Sequence, residues 1–191
     1  KAGGINVTAG ITTVQALQAT SGTFSADSTF NSISVGKGAN SVAGNTVLGE
    51  SALDASVSGA NNTAIGGNAL TTLTSGSQNV AVGKDALEAN TTGIRNTAIG
   101  AEALTDNTTA NNNTAVGFSA LELNSTGAQN VAVGSFALEA NTTANSNTAV
   151  GYYSLRENTT GTLNTAVGMN ALTANTTANR NTALGRSALA T

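Results

Sequence analysis

The chain has 191 residues and a net charge of −3, with 9% charged residues, 3% aromatic residues and no proline, cysteine, tryptophan or histidine. The charged fraction is far below the ~25% of an ordinary globular domain. No basic run offers a footprint for nucleic acid, no apolar stretch approaches the ~18 residues of a membrane span, and no cysteine is present to form a disulfide.

Residues 1–44 differ from the rest of the chain. They contain a β-leaning, Thr- and Ser-rich stretch from Ile11 to Ser25, then Ser32-Ile33-Ser34-Val35-Gly36. Gly36 lies 13 residues before Gly49, which reads as a shorter opening coil. The region is expected to be an extended cap or connector. The chain opens at Lys1 and stops inside a tenth repeat, so the sequence reads as a fragment or a processed product.

From residue 45 to 191 the chain repeats every 17 residues without a slip. Glycine recurs at Gly49, Gly66, Gly83, Gly100, Gly117, Gly134, Gly151, Gly168 and Gly185. Four residues before each stands an asparagine: Asn45, Asn62, Asn79, Asn96, Asn113, Asn130, Asn147, Asn164 and Asn181. Four residues after each stands a leucine: Leu53, Leu70, Leu87, Leu104, Leu121, Leu138, Leu155, Leu172 and Leu189. A fixed short period means stacked units that contact mainly their neighbours, and disordered chains have no reason to keep such a register.

One unit reads N-T-A-V-G-x-x-A-L-x-x-N-T-T-(G/A)-x-x. The T-A-V-G segment alternates and is β-branched, which predicts a strand with Thr114 and Val116 on one face and Ala115 on the other. The A-L pair predicts a second short apolar segment, and N-T-T-G is turn chemistry. Alanine and leucine also favour helix, but the glycine and the N-T-T run leave no room for the ~12 residues a marginal helix needs. Leucine-rich repeats run to roughly 20–29 residues, and helical repeats exceed 30. The expected fold is therefore all-β, a parallel β-solenoid or β-roll with two short strands and two turns per coil. Its interior should hold a Val or Ile, a Leu and two Ala from each unit.

Stacking places each asparagine over the next at the ~4.8 Å strand spacing, where side-chain amides can bond in columns. The asparagine and leucine columns are thus read as structural ladders. The N-x-T/S triplets at Asn90, Asn107, Asn124, Asn141, Asn158 and Asn175 recur because the turn recurs. One coil has little apolar surface of its own, which favours association of chains along their length. Glycine and alanine alternate ten residues after the repeat glycine, from Gly93 and Ala110 to Gly161 and Ala178, as duplication of a two-coil block would leave them.

Enzymatic chemistry has little to draw on, because the commonest base and the thiol nucleophile are absent. The acids fall at variable repeat positions (Asp54, Glu88, Glu122 and Glu139; Asp85 and Glu102) and read as solvated faces. Arg156 follows Glu139 one coil later, where an exposed ion pair would contribute little. The aspartate-rich nonapeptides of calcium-binding β-rolls are missing, as are the T-x-T arrays of ice-binding surfaces. No catalytic residue, metal or cofactor is expected.

The two positions after each repeat glycine vary most, from Glu50-Ser51 to Arg186-Ser187, and are expected to face solvent. Four of the six aromatic residues cluster there on three successive coils: Phe118, Phe136, Tyr152 and Tyr153. They form either a packing or chain–chain contact or a patch that binds a glycan or a protein receptor.

The Asn79–Gly83 run, N-V-A-V-G, resembles the head repeats of trimeric autotransporter adhesins. The longer unit over Asn147–Gly161 looks like tail-fibre proteins of bacteriophages, including cyanophages. The resemblance covers about residues 45–189. It implies a left-handed parallel β-roll, a homotrimer wound about one axis, and a role in adhesion or host recognition on a virion or cell surface. Adhesin heads repeat at a shorter period, and no membrane anchor, coiled-coil stalk or chaperone domain is present in the sequence. The expected function is a rigid fibre segment of a phage tail or adhesin-like appendage, with a self-assembling extracellular filament joined head to tail as the alternative.

Overall fold

Parallel strands seventeen residues apart stack into one continuous sheet in the computed structural model, which describes residues 28–30, 33–55 and 57–190. Eleven strands follow in spatial order as they do in sequence. They are β1 (Ser28–Phe30), β2 (Ile33–Gly36), β3 (Thr46–Gly49), β4 (Thr63–Ile65), β5 (Val80–Val82), β6 (Thr97–Ile99), β7 (Thr114–Val116), β8 (Val131–Val133), β9 (Thr148–Val150), β10 (Thr165–Val167) and β11 (Thr182–Leu184). From β3 to β11 all pairings are parallel and in register, as in Thr114↔Val131 and Ala115↔Ala132. The eight steps from β3 to β11 extend about 38 Å at the strand spacing. The chain is a β-solenoid, with no α-helix among the described residues.

Most of the stretch expected to connect or cap over 1–44 lies outside the described residues, including the whole Ile11–Ser25 run. Its described part holds β1 and β2. The β2 strand pairs antiparallel with β3, and β1 antiparallel with β2. A hairpin therefore lies along the first edge of the parallel stack.

The strand faces follow the expected alternation, but the core is not the expected one. Ala64, Ala81, Ala98, Ala115, Ala132, Ala149 and Ala166 point inward and are fully buried. In β3 Val47 takes that inward place. The β-branched residues that should have filled the interior stand on the outer face, with Ile99 41% exposed. The reason is the width of the coil. The leucines from Leu53 to Leu155 reach the same core from the other wall and are fully buried. From β4 onward an alanine methyl fills the space beneath the strand. Leu172 is nearly buried, whereas Leu189 in the last described coil is 59% exposed.

The A-L segment is not a second strand, contrary to expectation. Backbone φ alternates in sign there: 49° at Ser119 and 56° at Leu121, with the same pattern in every coil. Even so, its amides bond between coils. The Ser119 N–H donates to Ala101 O of the coil before (3.1 Å), and the Leu121 N–H to Ala137 O of the coil after (2.9 Å). Intercoil bonding thus continues around the coil without extended backbone.

Both asparagine columns are buried and paired. In the first, Asn113 Oδ1 accepts the Asn130 backbone N–H (2.9 Å), while Asn113 Nδ2 donates to Gly127 O (2.8 Å). In the second, Asn124 Nδ2 donates to Asn107 Oδ1 (3.1 Å) and Asn141 Nδ2 to Asn124 Oδ1 (2.8 Å). Asn45 to Asn164 of the first column are buried, and Asn181 is half-buried. Asn90, Asn107, Asn124, Asn141 and Asn158 are 0% exposed, so their amides are closed to glycosylation in the folded chain. No buried side-chain nitrogen or oxygen lacks a partner among the described residues, as close-packed interiors require.

The glycine–alanine alternation has a steric side. A Cβ at Gly127 would lie 2.3 Å from Ala144 O and 2.5 Å from Asn124 Oδ1, so a methyl at that coil meets both its neighbour and the amide ladder.

Candidate functional site

Each repeat glycine turns the chain out of its strand, and the next two residues form a rim along the rod. The first rim position is open: Phe118 is 44% and Tyr152 45% exposed. The second was expected to face solvent in every coil, and it does not. Asp85 and Ser119 are buried there. Neighbours in that column bond along the rod. Asn68 Nδ2 donates to Asp85 Oδ1 (2.9 Å), and Ser119 Oγ to Glu102 Oε2 (3.1 Å). Lys84 also pairs with Asp85. The Lys84 hydrogen bond holds the Asp85 carboxyl below the usual carboxylate range; burial opposes this and Asn68 assists it.

Phe136 and Tyr153 occupy this second position in left-handed backbone, with φ of 58° and 57°. Asn68, Asp85 and Asn170 share that conformation in other coils. Short polar side chains tolerate it by local hydrogen bonding, and an aromatic ring gains no such help.

The structure brings all four aromatic residues together. Phe118 and Phe136 meet edge to face at 5.2 Å between ring centroids, and Phe136 meets Tyr153 at 5.1 Å. Phe136 and Tyr152 are 6.2 Å apart, again edge to face. Tyr152 and Tyr153 lie 4.0 Å apart and tilted by 39°. Each edge-to-face contact contributes about 0.5–1.5 kcal/mol beyond burial. The patch is therefore a cohesive cluster within one chain as well as an exposed surface.

Arg156 adjoins it by contact and Met169 by its place in the column. The Arg156 guanidinium carbon sits 4.6 Å from the Tyr153 ring centre. Its Nε donates to Glu139 Oε2 at 2.7 Å, and its Nη1 lies 3.4 Å from Glu157 Oε1. The expected Glu139–Arg156 pair thus forms, and it also fixes a cation over a ring. Met169, 37% exposed, follows Tyr152 in the first rim column. The 17-residue register could have found Met169, since it puts that residue one coil after Tyr152.

Chain-internal hydrogen bonding also marks the two tyrosines. The Tyr153 side chain raises the Tyr152 phenol above its ordinary value of 10.0, and partial desolvation adds to this. Tyr152 should therefore stay neutral to higher pH than a free tyrosine. The chain has only these two tyrosines, so phenolate absorbance reads the patch alone. A pH titration should show a component above the ordinary tyrosine range. Tyr153→Phe should bring the remaining phenol down toward that range; an unchanged midpoint would refute the contact.

Among the described residues no group of three or more Asp, Glu, His or Cys side chains could hold a metal ion. No described helix is long and apolar enough to cross a membrane. Fold and register define a tandem-repeat β-solenoid protein. Comparisons with protein-family models, with curated proteins and with solved structures return no match.

Proposed function

We propose that the chain is a structural fibre segment of a phage tail fibre or adhesin-like appendage, on a virion or outside the cell. It holds distance as a rigid spacer and carries an attachment surface on its rim. The observation that carries this reading is the outer face of the sheet. From β3 to β11 that face presents Thr46, Thr63, Val80, Thr97, Thr114, Val131, Thr148, Thr165 and Thr182 in one column, and Leu48, Ile65, Val82, Ile99, Val116, Val133, Val150, Val167 and Leu184 in the other. No charge interrupts either column. All of these side chains are half-exposed or exposed. An uncharged β-branched strip this long is unusual on an isolated chain. Its best partner has the same axial repeat, which a second and a third copy supply. A lengthwise homotrimer is therefore the assembly we favour.

The head-to-tail filament reading is less well supported, because β2 already covers the β3 edge in antiparallel sense. Sedimentation decides the matter. The expected result is a trimer that Val116→Lys together with Val150→Lys dissociates, the β-rich circular dichroism of each chain being kept. A folded wild-type monomer at micromolar concentration overturns lengthwise association. Open-ended filaments in electron micrographs would favour the alternative.

A further inference from the structure

We infer that the aromatic rim is a binding site for a neutral, hydroxyl-rich oligosaccharide. This deepens the attachment reading above and rests on it for the outward placement of the rim, but it does not depend on the trimer.

The cluster joins Phe118, Phe136, Tyr152 and Tyr153 over two coil steps, about 10 Å along the rod. Aromatic residues are otherwise absent from the repeats. A pyranose ring is about as long as one such step of ~4.8 Å, so a glycan lying along the rod can set successive sugars against successive coils. The apolar face of a pyranose packs against an aromatic ring, and its rim of hydroxyls needs polar groups at the border. The border here supplies them. Arg156 spends only part of its donor set on Glu139 and Glu157, and a guanidinium carries five donors. Glu139 and Glu157 offer acceptors, as do the two tyrosine hydroxyls.

Charge narrows the ligand further. In the column that contains Arg156, Glu122 and Glu139 occupy the two preceding coils, and Glu157 is its chain neighbour. Glu102 adds a fourth carboxylate beside Ser119. One cation among four anions repels sulfated, phosphorylated or sialylated glycans, so the fit is to neutral sugars. Size argues against a protein partner, since stable protein interfaces bury about 800 Å² on each side and this cluster spans only three coils.

The chain carries its own reporter. It has no tryptophan, and both tyrosines lie in the cluster. The full chain would first be screened on an array of neutral and anionic glycans. Neutral hits, with maltohexaose, cellohexaose and chitohexaose as soluble probes, would then be titrated while tyrosine emission is read. We expect saturable quenching or enhancement by at least one neutral oligosaccharide. Phe136→Asn, which installs a residue the position holds in other coils, keeps both tyrosines and should weaken binding at least tenfold. Its circular dichroism and sedimentation should match wild type.

No neutral glycan bound, or binding that Phe136→Asn leaves unchanged, overturns the inference while the fibre reading stands. Stronger binding to anionic glycans overturns the assignment to neutral sugars. A Phe136→Asn protein that dissociates shows the cluster to be a contact between chains and removes the site. Loss of assembly in the wild-type chain, with sugar binding retained, would strike the trimer alone.

Discussion

Gly117→Ala should destabilise the protein by about 2–6 kcal/mol, from backbone strain and overpacking together. Gly117 has φ of 137°, a region closed to side chains. An added Cβ would stand 2.6 Å from the Gly134 carbonyl carbon, 2.7 Å from its oxygen and 2.9 Å from Ser135 N. All three are backbone atoms, so nothing can rotate aside. The coils would have to part, and parting breaks the Gly134 N–H bond to Val116 O (2.8 Å). Gly67→Ala is the control. A Cβ there meets nothing within 4 Å, and Ala101 fills the same rim position in another coil, so its cost should stay within about ±0.5 kcal/mol. Denaturant melts of the two variants that coincide would show that the coils do not stack as described.

The second large effect is Leu121→Ala, at about 2–5 kcal/mol per chain. Leu121 is fully buried between Leu104 and Leu138 in a core otherwise made of alanine methyls and amides. Such a core has few large side chains able to move into the hole, and the backbone on both sides is fixed by intercoil bonds. The cost should therefore lie toward the cavity-dominated end of that range. Glu122→Ala, the next residue and only half-buried, should stay within about ±0.5 kcal/mol. Leu189→Ala should cost much less than Leu121→Ala, because Leu189 is already 59% exposed. Equal losses at Leu121 and Leu189 would mean that the leucine column does not form the core.

The aromatic cluster was legible in part. The register alone placed Phe118, Phe136, Tyr152 and Tyr153 on successive coils at the rim. It could not tell that the rings would meet edge to face, nor that the Arg156 paired with Glu139 would also lie over Tyr153. Such contacts depend on side-chain direction. The backbone twist at the second rim position sets that direction, and residue identity does not predict it there.

Register, period and the two ladders were determined by the sequence itself. A 17-residue repeat with no insertion allows one stacking, and that stacking forces identical residues into columns, so Asn113 must lie against Asn96 and Asn130 and Leu121 between Leu104 and Leu138. Only the tertiary structure decided which strand face is inside. Hydrophobicity favoured Val116 over Ala115 for the core. The opposite wall had already filled the cross-section with Leu121, so the strand turned its methyl inward and its β-branched side chains out. The A-L segment was decided in the same way. Alanine and leucine carry no signal for left-handed backbone, yet Leu121 adopts φ of 56°, because bonding to the coils on both sides and burying one side chain between them outweigh the local preference of a single residue.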